Sequence, residues 1–584
     1  ERQEGSGLEI GSYAHRPIML DADEIPSIEE SALSPTELPF TQDDFEPQLE
    51  QALELMPEIV GDESVGIKYA INGLLSVTFD GMPLLGEMPE VGGVWSAAAI
   101  WIKEGPASGK TVAELMVHGE SEIDVYASNV ARAYPCQSTR AHIKARAGEG
   151  FNKMYGIVHP SEQWESDRDV RLSPFHEREK QLGAVFYETV GWERPHWYES
   201  NAGLLEEYGD RVTRREAEWD SRWWSPIINA EHLAMRDRAA MIDLTAFSIF
   251  DVTGPAALEA VQRVAMRQMD VEIGRVVYTP ILTPSGTFKA DLTIMRLGET
   301  QFRVVTGGAY GNSDMKWFAD HLPDDGSAQI HDETNAWCTL GLWGPRARDI
   351  LASVTSDDVS NEGFAFARCK NIEVGPLEVL ASRISYVGDL GWELYVPMEQ
   401  GARLWDIVAE AGAPHGIIPV GIGVYGTTGR LEKCYRAYGA ELDGDFNVVE
   451  AGMAWGKVKE DEFVGKEAHV RHREEEPAAT MCTLTLDDEA RSASGERRFM
   501  LGNEPILTPD GSPIVDSKGR RSYVTSAGAG PSIGKHILMT YLPPERAVEG
   551  ERLAVEYMGE QYPVTIDIVG STSIFDPENA RVRS

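Results

Sequence analysis

Two segments of this 584-residue chain repeat one pattern: a strand, a Gly-Pro turn, then a short amphipathic helix. In the first, residues 247–252 lead into Gly254-Pro255-Ala256-Ala257-Leu258 and a helix with apolar Leu258, Val261 and Ala265. In the second, 340–343 lead into Gly344-Pro345-Arg346-Ala347 and a helix with Ile350, Leu351 and Val354. Each proline is expected where a helix begins, since the first turn does not need its N–H. Strand hairpins follow in both: 276–282, a Pro284-Ser285-Gly286 turn and 289–297 in the first, then 378–386 and 392–396 in the second. Two similar halves facing each other leave a cleft at their pseudo-symmetric interface, a common place for a ligand. The predicted class is α+β.

The repeat occupies the middle of the chain, and the reading divides the whole into 1–120, 121–220, 221–474 and 475–584. Before it, 70–79 alternates partly as a strand and ends at Asp80-Gly81-Met82-Pro83, and 94–102 reads as another strand. Gly105-Pro106-Ala107-Ser108-Gly109 then reads as a loop ahead of a helix at 110–117, either an anion site at a helix N-terminus or a plain turn. Residues 121–220 show no clean period and carry Trp164, Trp192 and Trp197, which suits a connecting region packed over its neighbours. Short strands at 481–486, 522–526, 536–541, 553–557 and 562–568, with turns such as Pro509-Asp510-Gly511, predict a small antiparallel barrel. Residue 1 is Glu and 8–10 already has strand character, so the sequence is expected to begin within a domain.

The net charge is −41. Such a surface repels nucleic-acid phosphates and anionic membranes, and neither is expected as a partner. The longest apolar stretch near a glycine pair, 92–102, is too short for a bilayer, which takes about 20 residues. Cys136, Cys338, Cys369, Cys434 and Cys482 are odd in number and form no CxxC pair, so neither a disulfide framework nor a metal site is expected. Buried thiols in a reducing, cytoplasmic setting are the expectation.

Neither a dinucleotide fingerprint, a P-loop nor a metal-spaced His cluster is present, so the chemistry falls to carboxylates and tyrosines. Asp291 shares a strand face with Lys289, Thr293 and Met295, as a proton acceptor in a cleft or as part of a solvated face. Tyr386 and Glu393 bracket the glycines of Ser385-Tyr386-Val387-Gly388-Asp389-Leu390-Gly391-Trp392-Glu393. A buried Glu393 could accept from the N–H groups of a planar heterocycle; an exposed hairpin Glu is the other reading. Arg430 and Arg436 could receive an anionic tail, unless Arg430 pairs with Glu432 along its own helix. Tyr13, His15 and Arg16 suit an amino-acid carboxylate and a proton shuttle, or a structural cluster.

The run Ile10-Gly11-Ser12-Tyr13-Ala14-His15-Arg16-Pro17, with Ser173-Pro174-Phe175-His176 and Gly191-Trp192-Glu193-Arg194-Pro195, resembles dimethylglycine oxidase and the dimethylglycine and sarcosine dehydrogenases. The segments at 385–395 and Arg430-Leu431-Glu432-Lys433 extend that resemblance in the same order, and from about 221 the chain is also similar to the glycine-cleavage T-protein. The resemblance implies part of a flavin-oxidoreductase substrate domain, a folate-binding aminomethyltransferase-like domain and a C-terminal barrel. It implies that FAD oxidises an N-methylated glycine, dimethylglycine or sarcosine. The one-carbon unit then passes through an internal cavity to tetrahydrofolate, giving 5,10-methylenetetrahydrofolate. By the same resemblance Asp291 is catalytic, Tyr386 and Glu393 hold the folate, and Tyr13 stands beside flavin and substrate.

The departures are specific. The family's FAD fingerprint and flavin-attachment His lie in a segment this sequence lacks, so FAD is expected to be held mainly by another segment or subunit. Residues 105–110 match the flavin-covering loop loosely. Asp389 stands where the family shows Glu, Gly426-Thr427-Thr428-Gly429 replaces a more ordinary helix before Arg430, and Pro284-Ser285-Gly286-Thr287 replaces a Gly-Gly turn. A flavin-independent, tetrahydrofolate-dependent aminomethyltransferase and a folate-binding assembly subunit are the alternatives, and a homo-oligomer is compatible with each.

Overall fold

In the computed structural model the two repeats become two sheets that exchange one strand each. The structure describes residues 2–584 apart from 12, 14, 32, 33 and 63, so Ser12 and Ala14 of the 10–17 run lie outside the described residues. The chain divides into two units, one of Glu1–Ala113 and Ala127–Arg168 and the other of Glu114–Tyr126 and Asp169–Ser584.

The first unit contains helix α1 (Gln42–Leu55) and a hairpin of β1 (Leu84–Glu87) and β2 (Trp95–Ala98). Buried Arg132 ties it together, its guanidinium donating to both oxygens of Asp80 at 2.7 and 2.8 Å and to the carbonyls of Pro83 and Met82. The strand expected over 70–79 shrinks to Asn72–Gly73, because its partner Glu37–Leu38 offers only two residues to pair with. Helix α2 runs Gly105–His118, so the expected loop at 105–109 is instead the helix's first turn. Pro106 lies where no N–H is needed, and the two glycines cost propensity without breaking the helix. Helix α3 (Arg140–Lys153) is capped by Thr139, whose hydroxyl accepts from the His142 amide.

The second unit opens on a hairpin of β3 (Ala184–Thr189) and β4 (Trp192–Tyr198), followed by the buried helix α4 (Ile227–Asp237). The first repeat then gives β5 (Ala240–Asp243), β6 (Ser248–Thr253), α5 (Ala257–Val264), β7 (Val276–Leu282), β8 (Phe288–Arg296) and β9 (Gln301–Thr306). The second gives β10 (Gln329–Asp332), β11 (Trp337–Trp343), α6 (Ala347–Val354), β12 (Cys369–Val374), β13 (Leu377–Ser382) and β14 (Gly391–Pro397), with α7 (Met398–Gly412) and β15 (Ile418–Pro419) after it. One sheet runs β7-β8-β9-β6-β10 and the other β12-β13-β14-β11-β5-β15. Thus β5 precedes β6 in sequence but pairs with β11, while β10 precedes β11 but pairs with β6. The leading strand of each half completes the other's sheet.

Pro255 and Pro345 stand two residues before the first helical residues, Ala257 and Ala347. The turn itself belongs to Gly254 and Gly344, at φ +116° and +127°. A Cβ on either would meet a carbonyl oxygen at 2.4 or 2.5 Å, so the backbone crosses too closely for any side chain. Each helix packs on its own sheet: Ala260, Val261 and Val264 against Phe250, Leu292 and Val304, and Ile350 and Leu351 against Leu342, Trp392 and Leu394. The opposite faces share a smaller cluster in which Ile249, Val276 and Met295 of one half meet Cys369, Leu380 and Tyr395 of the other.

The last region forms a six-stranded sheet of β16 (Thr480–Leu486), β17 (Ile506–Leu507), β18 (Val524–Gly530), β19 (Lys535–Leu542), β20 (Arg552–Tyr557) and β21 (Glu560–Val569), ordered β17-β20-β21-β16-β19-β18. A bridge between Pro505 and Tyr523, with the Val524 amide donating to Glu504 O at 2.8 Å, joins its two ends into a barrel. Among the described residues no disulfide forms, and Cys338, Cys369, Cys434 and Cys482 are buried. No helix among them is long and apolar enough to cross a membrane.

Candidate functional site

The face of β8 that carries Asp291 and the face of β14 that carries Glu393 are turned toward each other. Strand period two puts Met295 on Asp291's face and Tyr395 on Glu393's, and these two side chains meet in the cluster shared by the halves. The hydroxyl of buried Tyr425 is raised by the charges of both Glu393 and Asp291, as well as by its own burial. The two carboxylates therefore lie on the faces that the two halves turn toward each other.

Asp291 is half-buried and accepts a hydrogen bond from Tyr278 Oη at 2.8 Å. Tyr278 lies on β7 opposite Thr293, which makes it the diagonal neighbour of Asp291 on the same face. Burial pushes the Asp291 carboxyl up to about 6, with the Glu441 charge helping and the Tyr278 hydroxyl opposing. Glu393 is only 6% exposed and is bonded by Tyr395 Oη. Burial pushes it up to about 7, and no cation offsets the cost of its charge.

Aromatic rings frame this carboxylate. Tyr386, in the loop between β13 and β14, packs on Tyr425 at 5.2 Å and on Tyr435 at 5.8 Å, and its hydroxyl donates to Arg436 O at 2.7 Å. Trp343, on β11 two residues from Glu393's cross-strand partner Gly341, lies 5.7 Å from Tyr425. Gly341 has no side chain because the Trp343 ring covers it; a Cβ there would meet that ring at 2.0 Å. Gly388, at φ +80°, lets the loop pass over Lys433, where a Cβ would lie 2.4 Å from the side chain. The Gly426-Thr427-Thr428-Gly429 stretch folds as a π-helix, Val424–Gly429, a wide turn that carries Tyr425 into the cleft.

Arg430 is buried at the edge of the same region; burial raises the Tyr386 hydroxyl and the Arg430 charge only partly opposes it. Its N–H groups go to Glu441 (2.8 Å), Ser526 Oγ (2.7 Å), Gly426 O (3.0 Å) and Tyr435 O (3.1 Å). It pairs with neither Glu432 nor an open space, so the structure commits it to joining the π-helical turn to the barrel rather than offering it to an anionic tail. Arg436 likewise donates to the carbonyls of Cys434 and Gly570.

Glu432 and Asp389 belong to a second buried cluster. Arg236 donates to Asp389 Oδ2 and to Glu432 Oε2 at 2.5 and 3.1 Å, Arg581 donates to Asp389 Oδ1, and the Ser532 amide donates to Glu432 Oε1. His232 Nε2 lies 2.9 Å from Glu432, and its imidazole and Arg236 both act on that carboxylate, while burial lowers the imidazole itself. Although burial pushes Glu432 upward, these partners bring it down to about 2.

Tyr13 lies in the first unit, stacked on Tyr155 at 4.3 Å and tilted against Phe151 at 5.5 Å, with its hydroxyl raised by burial and by Tyr155. Arg16 pairs with Asp44 at 2.7 Å. Sequence reasoning missed Tyr278, Trp343 and Tyr425. The strand register of Tyr278, on Asp291's face one strand away, was the available signal.

Residues 175–460 match the family described as GCVT N-terminal domain, 118–173 the FAD dependent oxidoreductase central domain, and 497–569 the glycine cleavage T-protein C-terminal barrel domain. Mouse mitochondrial dimethylglycine dehydrogenase is 27% identical over 595 residues, covering 100% of this chain and 64% of that protein. Mouse mitochondrial sarcosine dehydrogenase is 29% identical over 627 residues, covering 100% of this chain and 65% of that protein. The chain thus spans a little under two thirds of these relatives. The crystal structure of aminomethyltransferase T from Bartonella henselae superposes with TM-score 0.55 at 21% identity, covering 68% of this chain and 97% of that one, a likeness of fold.

Proposed function

From a chain that is a homologue of the dimethylglycine and sarcosine dehydrogenases and carries a glycine-cleavage T-protein-like portion, we propose that the cleft between the two sheets binds tetrahydrofolate. There the folate accepts a one-carbon unit from an N-methylated glycine, dimethylglycine or sarcosine, giving 5,10-methylenetetrahydrofolate. The observation that carries this reading is Glu393: a buried carboxylate near the Tyr425 ring, which itself packs on Tyr386 and Trp343, with no cation among the described residues to pair with. A planar heterocycle with adjacent N–H donors satisfies both needs at once, by two parallel charge-assisted bonds and by stacking.

Tetrahydrofolate supplies the amines that take the carbon. Two carbon–nitrogen bonds to the folate form as the bond from that carbon to the glycine nitrogen breaks, and the departing amine takes up the two protons the folate amines lose; Asp291, poised at about 6, is the carboxylate placed to relay them. Tyr278 fixes the orientation of that carboxylate through its 2.8 Å bond. The paired rings and the sheet interface limit water around the electrophilic carbon.

The residues that the family resemblance set against flavin do not form a covering loop. Gly105 and Gly109, where the family resemblance called for a covering loop, lie inside α2. No step here is routed through a flavin, and the oxidation that frees the carbon is assigned to FAD by family resemblance alone. The glycine-cleavage T-protein match over 175–460 favours a second reading, a flavin-independent aminomethyltransferase. Turnover of an aminomethyl donor with tetrahydrofolate and no flavin would select it.

Calorimetry with tetrahydrofolate tests the common core of both readings. One site per chain is expected, and Glu393→Gln should weaken it on the order of a hundredfold, the worth of a charge-assisted pair. Equal affinity in the variant overturns the assignment.

A further inference from the structure

The second unit carries a cationic cavity that the folate cleft does not use. Its volume is about 510 Å³, within the usual range for a small-molecule site, and Arg211, Thr213, Arg214, Arg497, Ser532 and Gly534 line it. Three arginines, Arg211 and Arg214 exposed and Arg497 half-buried, thus line one space on a chain of net charge −41. Among the described residues none of the three forms an ion pair. Arg211 lies over the Tyr208 ring at 5.6 Å, Arg497 over Phe499 at 5.4 Å, and Arg497 Nε is buried without a hydrogen-bond partner.

This arrangement runs against the rest of the surface. Elsewhere arginines meet the abundant carboxylates, as Arg238 meets Glu207 and Arg546 meets Glu551. Here acidic side chains are scarce, Asp210 being the only one on the lining. More positive charge stands behind the wall. Arg215 is half-buried against Trp224 and Phe499, and Arg215 and Arg497 both act on His536, which burial and these two cations push down to about 3. Like charges held together raise each other's energy unless an anion joins them, and the planar guanidinium matches two oxygens of an oxyanion at a time.

We propose that this cavity is a binding site for a small, multiply charged oxyanion: free phosphate, or the phosphate group of a small metabolite. Arg214 and Arg497 grip the oxyanion from two sides. Thr213 supplies a hydroxyl donor, while the Ser532 hydroxyl on the same lining is held by His232 Nε2 at 3.0 Å. The site is separate in its residues from the cleft that holds Asp291 and Glu393, so the proposal stands whether or not that cleft binds folate.

The test is calorimetry on the full chain at low salt with inorganic phosphate, pyrophosphate and ribose 5-phosphate, for the wild type and for Arg214→Gln/Arg497→Gln. Saturable binding is expected, weakened at least tenfold in the double variant and lost progressively with added salt. Preference for ribose 5-phosphate over phosphate assigns the metabolite source, and equal or better binding of the inorganic ions assigns the free ion. Absence of heat with all three at millimolar concentration overturns the site, as does undiminished binding in the double variant. Arg491→Gln, outside the cavity, serves as a control for net charge and should bind as the wild type does; equal weakening there also overturns the assignment.

Discussion

Two carboxylate clusters lie buried in the second unit, and they are built on opposite principles. Around Arg236, every acid has a cation: Asp389 has Arg236 and Arg581, and Glu432 has Arg236 and the Ser532 amide. Between the sheets, Asp291 and Glu393 have tyrosine hydroxyls and, for Asp291, the Tyr438 backbone, but no ion pair among the described residues. The first cluster lowers Glu432 to about 2, whereas the second raises Asp291 to about 6 and Glu393 to about 7. Paired acids fix a structure, because removing one strands its partner. Unpaired acids burden the empty fold and gain from a ligand that brings donors.

The sharpest way to break this contrast is at Glu432. Glu432→Gln leaves Arg236 short of a counterion in a dry site and is expected to cost about 3 kcal/mol, read as a lower urea midpoint at unchanged slope. If Glu432→Gln is neutral, the two clusters do not differ in kind.

Transfer chemistry comes next. Asp291→Asn keeps the size and the Tyr278 contact but removes the proton acceptor. Formation of methylenetetrahydrofolate should fall on the order of a hundredfold, with folate affinity held within a few-fold, as checked by rate and calorimetry together. Unchanged transfer would remove Asp291 from the chemistry.

The smallest effect is the pH signature. Glu432 is depressed, so its stabilisation is present above the unfolded value near 4.5 and is lost as pH falls toward 2. Glu393 is raised, so its contribution is present below about 4.5 and is lost as pH rises through about 7. Glu393→Gln should therefore raise stability at pH 8 by on the order of 1–2 kcal/mol and have little effect at pH 4. A destabilised variant at pH 8 would place Glu393 with the structural acids.

Much of this was legible in the sequence where alternation is strong. The strands of the two hairpins and of the barrel follow period-two runs, and the Gly-Pro turns mark both repeats. The α2 start was misread because Gly105, Pro106 and Gly109 look like loop residues, yet a first turn tolerates all three. Arg430 could not be placed from its neighbours: its partners Glu441 and Ser526 lie 11 and 96 positions away, joined only by the tertiary fold. The strand exchange was also hidden, since β5 and β10 are four residues each and carry no period long enough to show a partner.

That exchange constrains how the protein can be made. As the chain leaves the ribosome, the sheet bearing Asp291 lacks its border strand until residue 332 has emerged, and β6 waits with an open edge. Neither half can be cut out as an autonomous piece, and truncations ending between β9 and β10 should yield insoluble product rather than a smaller domain.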